Sequence, residues 1–186
     1  MDKVTNWNEP AINKSGLTAL VTGCEIALKP ILAAGLKEHF NLDYLKLPAR
    51  YPFPRYLEML DWLRRLLYPL NTLELGYEKI GRSITKGFFQ RPVGQVLKLT
   101  LGPLGPQRSV HYFFRIAGGA LPFGEFQIVA EHPGYIRAIL YRVPGSPDVM
   151  RGMGLESMEM AGIKHGSIKY TKLTPQDTQF EADWPS

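Results

Sequence analysis

Cysteine is almost absent from this sequence: Cys24 stands alone among 186 residues. One thiol excludes a disulfide framework and any zinc site built from several thiolates. With Glu25 beside it and no basic neighbour close in sequence, Cys24 reads as a buried, inert thiol and not as a nucleophile. Histidine is scarce too. His39, His111, His132 and His165 form no HxH or HxxxH pair, so a dedicated transition-metal site is not expected. No uninterrupted apolar run approaches the ~18 residues of a bilayer-spanning helix. The longest are broken by Glu25, Lys29, Lys37 and Glu38. Residues Met1–Pro10 are polar and lack the basic-then-apolar pattern of a secretory signal, which makes the cytoplasm the expected compartment. The run Gly102-Pro103-Leu104-Gly105 has no lysine after it and is not a phosphate-binding loop; no Gly-x-Ser-x-Gly elbow occurs. No acid–base or nucleophile pair stands out, so the reading is of a protein that is not an enzyme.

What is present is the composition of a folded domain: 45% hydrophobic and 21% charged residues. The net charge of +5 is unevenly placed. Between Lys79 and Gly124 there are seven basic residues and no acidic one, while the flanks are close to neutral. A field of one sign attracts an anionic partner or head group. The plainer alternative is a solvated basic face that aids solubility.

Along the chain, residues 1–16 read as an arm that Trp7 and Ile12 tether. Helical periodicity runs from about Val21 to Phe40 with Pro30 inside it, which predicts a short element followed by a helix starting near Lys29. Residues Leu45–Phe53 are a proline-rich connection. Pro54 then opens a strong helix with Tyr56, Leu57, Leu60, Leu63, Leu66 and Leu67 on its apolar face, closed by Pro69. Asn71 or Thr72 caps the next helix, whose Gly76, Gly81 and Gly87 suit close packing. Further helices are predicted over about 92–101 and 107–116. The period then shifts to two. Phe126–Ala130 and Tyr135–Val143 are predicted strands around the turn at Pro133-Gly134, followed by a helix from Pro147 to about Gly162 and a strand over Ile168–Leu173. Residues 175–186 read as a loose polar tail. Helices first, then strand–strand–helix–strand, is an α+β plan with an antiparallel sheet. A single domain over 17–174 is expected.

The runs Ala49-Arg50-Tyr51-Pro52-Phe53-Pro54-Arg55-Tyr56, Leu67-Tyr68-Pro69, Leu75-Gly76-Tyr77-Glu78-Lys79-Ile80-Gly81-Arg82, Gly87-Phe88, Leu101-Gly102-Pro103 and His132-Pro133-Gly134-Tyr135 resemble a myxobacterial paralogous family of unknown function. That family is similar to the haem–nitric-oxide/oxygen binding (H-NOX) fold, shared with Golgi-transport subunits that hold an acyl chain. The pieces that match are Lys79–Thr85, the helix bearing His111, and the strand ending Leu140-Tyr141-Arg142-Val143. The resemblance implies an H-NOX-like fold: a helical half packed on a small antiparallel sheet with a helix between strands. In haem-binding members an axial histidine precedes a Tyr-x-Ser-x-Arg motif that grips the propionates. Here His111 precedes Tyr141 by 30 residues, but the motif reads Tyr141-Arg142-Val143-Pro144-Gly145. The hydroxyl and guanidinium donors are missing, so haem is disfavoured and no cofactor is expected.

The reading that follows is a non-enzymatic sensory or adaptor domain. It binds a small apolar or amphiphilic molecule between its two halves and signals to a partner protein. Expected pocket residues are His111, Phe114, Phe126, Tyr141, Met150 and Met153, with Phe113 beside them, while Arg108 and Arg115 meet an anionic head group. A homodimer through the helical half is expected. The alternatives are a ligand-free interaction module with a self-filled pocket and a haem-dependent gas sensor. Specific nucleic-acid binding has no groove-reading motif behind it.

Overall fold

The computed structural model describes residues 10–120 and 124–185, with the side chains of 101, 102 and 113–120 left undescribed. The chain enters through a short strand, β1 (Ala11–Asn13), paired antiparallel with β2 (Arg50–Pro52). The expected loose arm is therefore pinned at its end. Ile12 is buried, and Phe53 donates its backbone N–H to Pro10. Trp7 lies outside the described residues.

Asn13 caps α1 (Lys14–Gly23) by accepting from the Gly16 N–H at 2.9 Å. This helix begins inside the expected arm, ahead of the Val21 start that the periodicity suggested. A single 3₁₀ turn at Ile26–Leu28 leads to α2 (Pro30–Phe40), so the second helix starts beside Lys29 as expected, with Pro30 in its first turn. Next comes α3 (Phe53–Leu67), with Tyr56, Met59, Leu60 and Leu63 inside. Leu66, expected on that face, is exposed because the buried stripe is narrower than the leucine pattern. Thr72 caps α4 (Leu73–Phe89), with Glu74 in the first turn, where a negative charge offsets the helix dipole. A hairpin of α5 (Pro92–Leu101) and α6 (Gly105–Ala120) completes the helical half.

The sheet is built from β3 (Glu125–His132), β4 (Tyr135–Tyr141), β5 (Ser167–Lys172) and β6 (Thr178–Asp183), in the order β3-β4-β6-β5, all antiparallel. Between β4 and β5 runs α7 (Pro147–Met160). One expectation fails here. The supposed loose tail contains β6, an interior strand of the sheet. Thr178, Phe180 and Ala182 point inward and are buried, while Gln179, Glu181 and Asp183 point out. The alternation is regular, but small and polar inward residues hide it from a hydrophobicity reading. Trp184 follows, buried, with its N–H on the carbonyl of Gly134 at 2.8 Å.

Helix α4 is held between α1 and α7 at backbone distance. A Cβ on Gly81 would stand 2.0 Å from the Val149 carbonyl oxygen, and one on Gly152 would stand 2.0 Å from that of Glu78. On its other side Gly87 meets α1 just as closely, at Ala19 and Gly23. Ion pairs reinforce the α4–α7 contact. Arg82 reaches Glu78 (3.1 Å), Glu159 (2.7 Å) and the buried Glu156 (3.4 Å), and Arg151 bridges Glu78 and Asp148, both at 3.1 Å. The two halves thus share one continuous core.

Candidate functional site

A cavity of about 110 Å³ lies where the halves meet. From the helical half, α3 supplies Phe53, Tyr56, Leu57 and Leu60, and Ile84 of α4 and Ile12 complete that wall. From the other half, Leu140 of β4 and Phe180 and Thr178 of β6 form the floor, and Val149, Met150 and Met153 of α7 form the far wall. The loop Val143–Pro147 makes the rim.

Its polar side-chain groups are few, the hydroxyls of Tyr56, Thr178 and Ser146. Ser146 caps α7, accepting from the Asp148 N–H at 3.2 Å and donating to its carboxylate at 3.0 Å. Asp148 also takes the Tyr170 hydroxyl at 3.1 Å. Burial pushes the Tyr56 phenol far above its ordinary value, with the Cys24 thiol as a second cause. Cys24 itself is raised to about 12, chiefly by burial, and is inert at neutral pH.

The rim loop is shaped by two left-handed residues, Arg142 (φ 58°) and Gly145 (φ 117°). Asp177 holds it by accepting the Arg142 N–H at 2.8 Å, and the Val143 N–H bonds the Gln176 carbonyl. Lys172 donates to the carbonyls of Gly145 (3.3 Å) and Pro175 (3.4 Å), which ties a cation to the cavity rim.

The sequence-predicted residues divide between the cavity and other surfaces. Met150 and Met153 line the cavity. Phe126 pairs with Leu140 across the β3–β4 ladder and packs on the core without reaching the cavity wall. Tyr141 falls on the opposite sheet face from its neighbour Leu140 and donates to Gln127 at 3.4 Å. Arg108 is exposed on α6, outside the wall. His111 is also on α6, where its Nδ1 lies 2.9 Å from the Glu131 carboxylate on β3. The side chains of Phe113, Phe114 and Arg115 lie outside the described residues. Sequence reading missed the α3 wall and Phe180. The apolar face of α3 was visible in the sequence, but nothing there says which surface it meets.

These residues do not fit a haem. His111 is turned to a carboxylate at the sheet and does not line the cavity. Val143 and Gly145, at the positions where the resemblance places a hydroxyl and a guanidinium, form the rim and offer neither. A side chain on Gly145 would meet Leu57, its Cβ standing 2.9 Å from Cδ2. Among the described residues no group of histidine, cysteine or carboxylate side chains is placed to hold a metal ion, and no helix is long and apolar enough to cross a membrane.

Known structures share this architecture. An Fe(II) unliganded H-NOX protein mutant from K. algicida is 13% identical, with 92% of this chain and 96% of that chain covered and a TM-score of 0.58. An H-NOX protein from S. oneidensis in the Fe(II)NO ligation state is 10% identical over 93% and 99% of the two chains, at 0.57. An oxygen-binding H-NOX domain related to soluble guanylate cyclases is 10% identical over 92% of each, also at 0.57. The chain therefore has the H-NOX-like α+β fold. No curated protein matches its sequence. One family does match, over residues 13–185, and the chain belongs to it: DUF2378, a family of proteins of unknown function.

Proposed function

We propose that this protein is a non-catalytic sensory or adaptor domain that takes a small apolar or amphiphilic molecule into the cavity between its halves. The observation behind the proposal is the cavity wall. It is aliphatic and aromatic over most of its surface, with the hydroxyls of Tyr56, Thr178 and Ser146 as its few polar side-chain groups. An apolar void lined in this way stays dry and accepts apolar guests; one of ~150 Å³ accepts benzene. The volume here suits a ring or a segment of alkyl chain. An amphiphile would leave its head group at the rim, where Lys172 meets an anion. Arg108, expected in that role, stands elsewhere on the surface.

Signalling follows from how α7 is mounted. Met150 and Met153 face the guest, and Gly152, between them in sequence, is seated on α4. A guest that displaces the methionines therefore pushes on the α4–α7 contact and biases the relative placement of the halves. The readout would be a changed surface for a partner protein in the cytoplasm, with homodimerisation through the helical half. Native mass spectrometry of the purified protein, followed by organic extraction, tests the reading. A small apolar mass released on unfolding supports it. A sample with no such mass that also fails to bind added fatty acid contradicts it.

The modest volume favours one second reading, an interaction module that uses the same two-halved scaffold without a ligand. Small-molecule pockets commonly exceed ~300 Å³. A ligand screen without hits on a sample that light scattering shows to be dimeric would favour it.

A further inference from the structure

The cavity leaves the most uneven feature of the sequence unused, the acid-free basic segment from Lys79 to Gly124. The structure places α5 inside that segment and shows what its outer face carries. Its inner face is anchored, with Leu97 packed against Phe89 beside Phe88 and Met160, and Gly94 lying against the Phe88 backbone. Its outer face is aliphatic: Val93, Val96 and Leu99 are 55%, 64% and 79% exposed. Helical geometry puts Val96 and Leu99 at the centre of the exposed arc, Val93 on one flank, and Gln95 and Lys98 on the other. Three aliphatic side chains standing this far out of one helix form a ridge, not a groove.

We propose that α5 docks on the surface of an anionic lipid bilayer, its ridge sunk among the lipids and its lysine at the head-group level. The helix is ~15 Å long and lies in the interface plane. Lys98 is placed where a long side chain keeps its charge in water while its stem covers apolar surface. The surrounding segment, 79–124, carries six further basic residues and no carboxylate of its own; of these, Lys86 is turned to Glu156 of α7 at 3.7 Å. A second copy of the chain meeting this face would set cation against cation, which disfavours self-association here. A bilayer of acidic lipids supplies both an apolar interior for the ridge and anions for the charges. This inference is independent of the cavity's occupant.

Co-sedimentation with vesicles tests it, using phosphatidylcholine alone and phosphatidylcholine with about a third phosphatidylglycerol. Wild type is expected to pellet with the anionic vesicles, to stay in solution with the neutral ones, and to be released by high salt. Val96→Ser/Leu99→Ser is expected to weaken partitioning tenfold or more, roughly the loss of two buried aliphatic side chains. Lys98→Gln is expected to weaken it about fivefold. Leu28→Ser, an exposed leucine outside the ridge, is the control expected to bind as wild type. All four positions are exposed, and circular dichroism verifies that the variants fold. Equal binding to neutral vesicles, no binding to anionic ones, ridge variants indistinguishable from wild type, or binding to random DNA in place of vesicles would each overturn the proposal.

Discussion

Gly81 of α4 and Val149 of α7 meet backbone to backbone: a Cβ on the glycine would stand 2.0 Å from the valine carbonyl oxygen. Val149 also forms part of the cavity wall, so one residue joins the cavity to the seam between the halves. Gly81→Ala must separate α4 from α7, because a backbone carbonyl has no rotamer by which to yield. The expected cost is ~1–3 kcal/mol, the scale of core overpacking. Urea unfolding measures it, and a change below ~0.5 kcal/mol, the range of neutral surface substitutions, would show that the seam has slack.

The charges across the same seam lead to a second prediction. Glu156 is buried and depends on Arg82 at 3.4 Å and Lys86 at 3.7 Å. Arg82→Ala leaves that carboxylate with only the longer contact. Breaking a buried pair costs ~3–5 kcal/mol. Arg82 is a quarter exposed, so the lower part of that range is expected. Arg82→Ala combined with Glu156→Leu is expected to recover much of the loss. A double variant no more stable than Arg82→Ala alone would contradict this account.

Acid should weaken the fold at identifiable sites. Burial raises the Asp61 carboxyl, but hydrogen bonds from Arg64, Tyr77 and Arg65 outweigh it and hold the group below its ordinary range. Glu131 is likewise held low, chiefly by the Gln107 amide, which outweighs burial, and then by His111. A folded-state pKa below the unfolded one contributes stability above the unfolded value, and that contribution is lost as pH falls through the folded value. Stability should therefore decline below pH ~4, where free carboxylates protonate. Asp61→Asn should flatten that decline while lowering stability at neutral pH. An unchanged pH profile would remove Asp61 from the explanation.

The C-terminal segment should be indispensable. Removing residues 175–186 deletes the strand between β4 and β5 and exposes the surface under Phe180 and Trp184. The truncated chain is expected to lose cooperative unfolding and near-ultraviolet dichroism. A truncated protein that melts as sharply as the full chain would show that the sheet closes without β6.

That strand also shows where the sequence was legible and where it was not. Most helices announced themselves through period and punctuation: Pro54 beside the start of α3, Thr72 before α4, and Pro147 at the start of α7; α1 did not, since its first residues read as part of the arm and helical period was placed only from Val21. The β3–β4 turn was visible in Pro133-Gly134. The strand Thr178–Asp183 was not, because inward Thr178 and Ala182 look no more apolar than a loop, and only pairing with two neighbours makes them core. β1 was hidden because three residues carry no period. At the cavity, Met150 and Met153 were legible as a soft apolar stripe on one helix. Phe53, Leu57 and Phe180 were not, since their meeting depends on which faces the fold brings together, a long-range fact that no local spacing records. His111 and Tyr141 were singled out by analogy of spacing, and the structure points both away from the cavity.

A binding site between α3 and α7, as proposed above, must make the folded chain more stable when its guest is present. The most direct test is the thermal midpoint of wild type and of Met153→Trp, a variant that fills the cavity, as decanoate is titrated. The account predicts a rise for wild type that grows with concentration, as mass action requires of a ligand that binds only the folded state. It predicts no rise for the filled variant. Equal shifts in both proteins, or none in either, would contradict it.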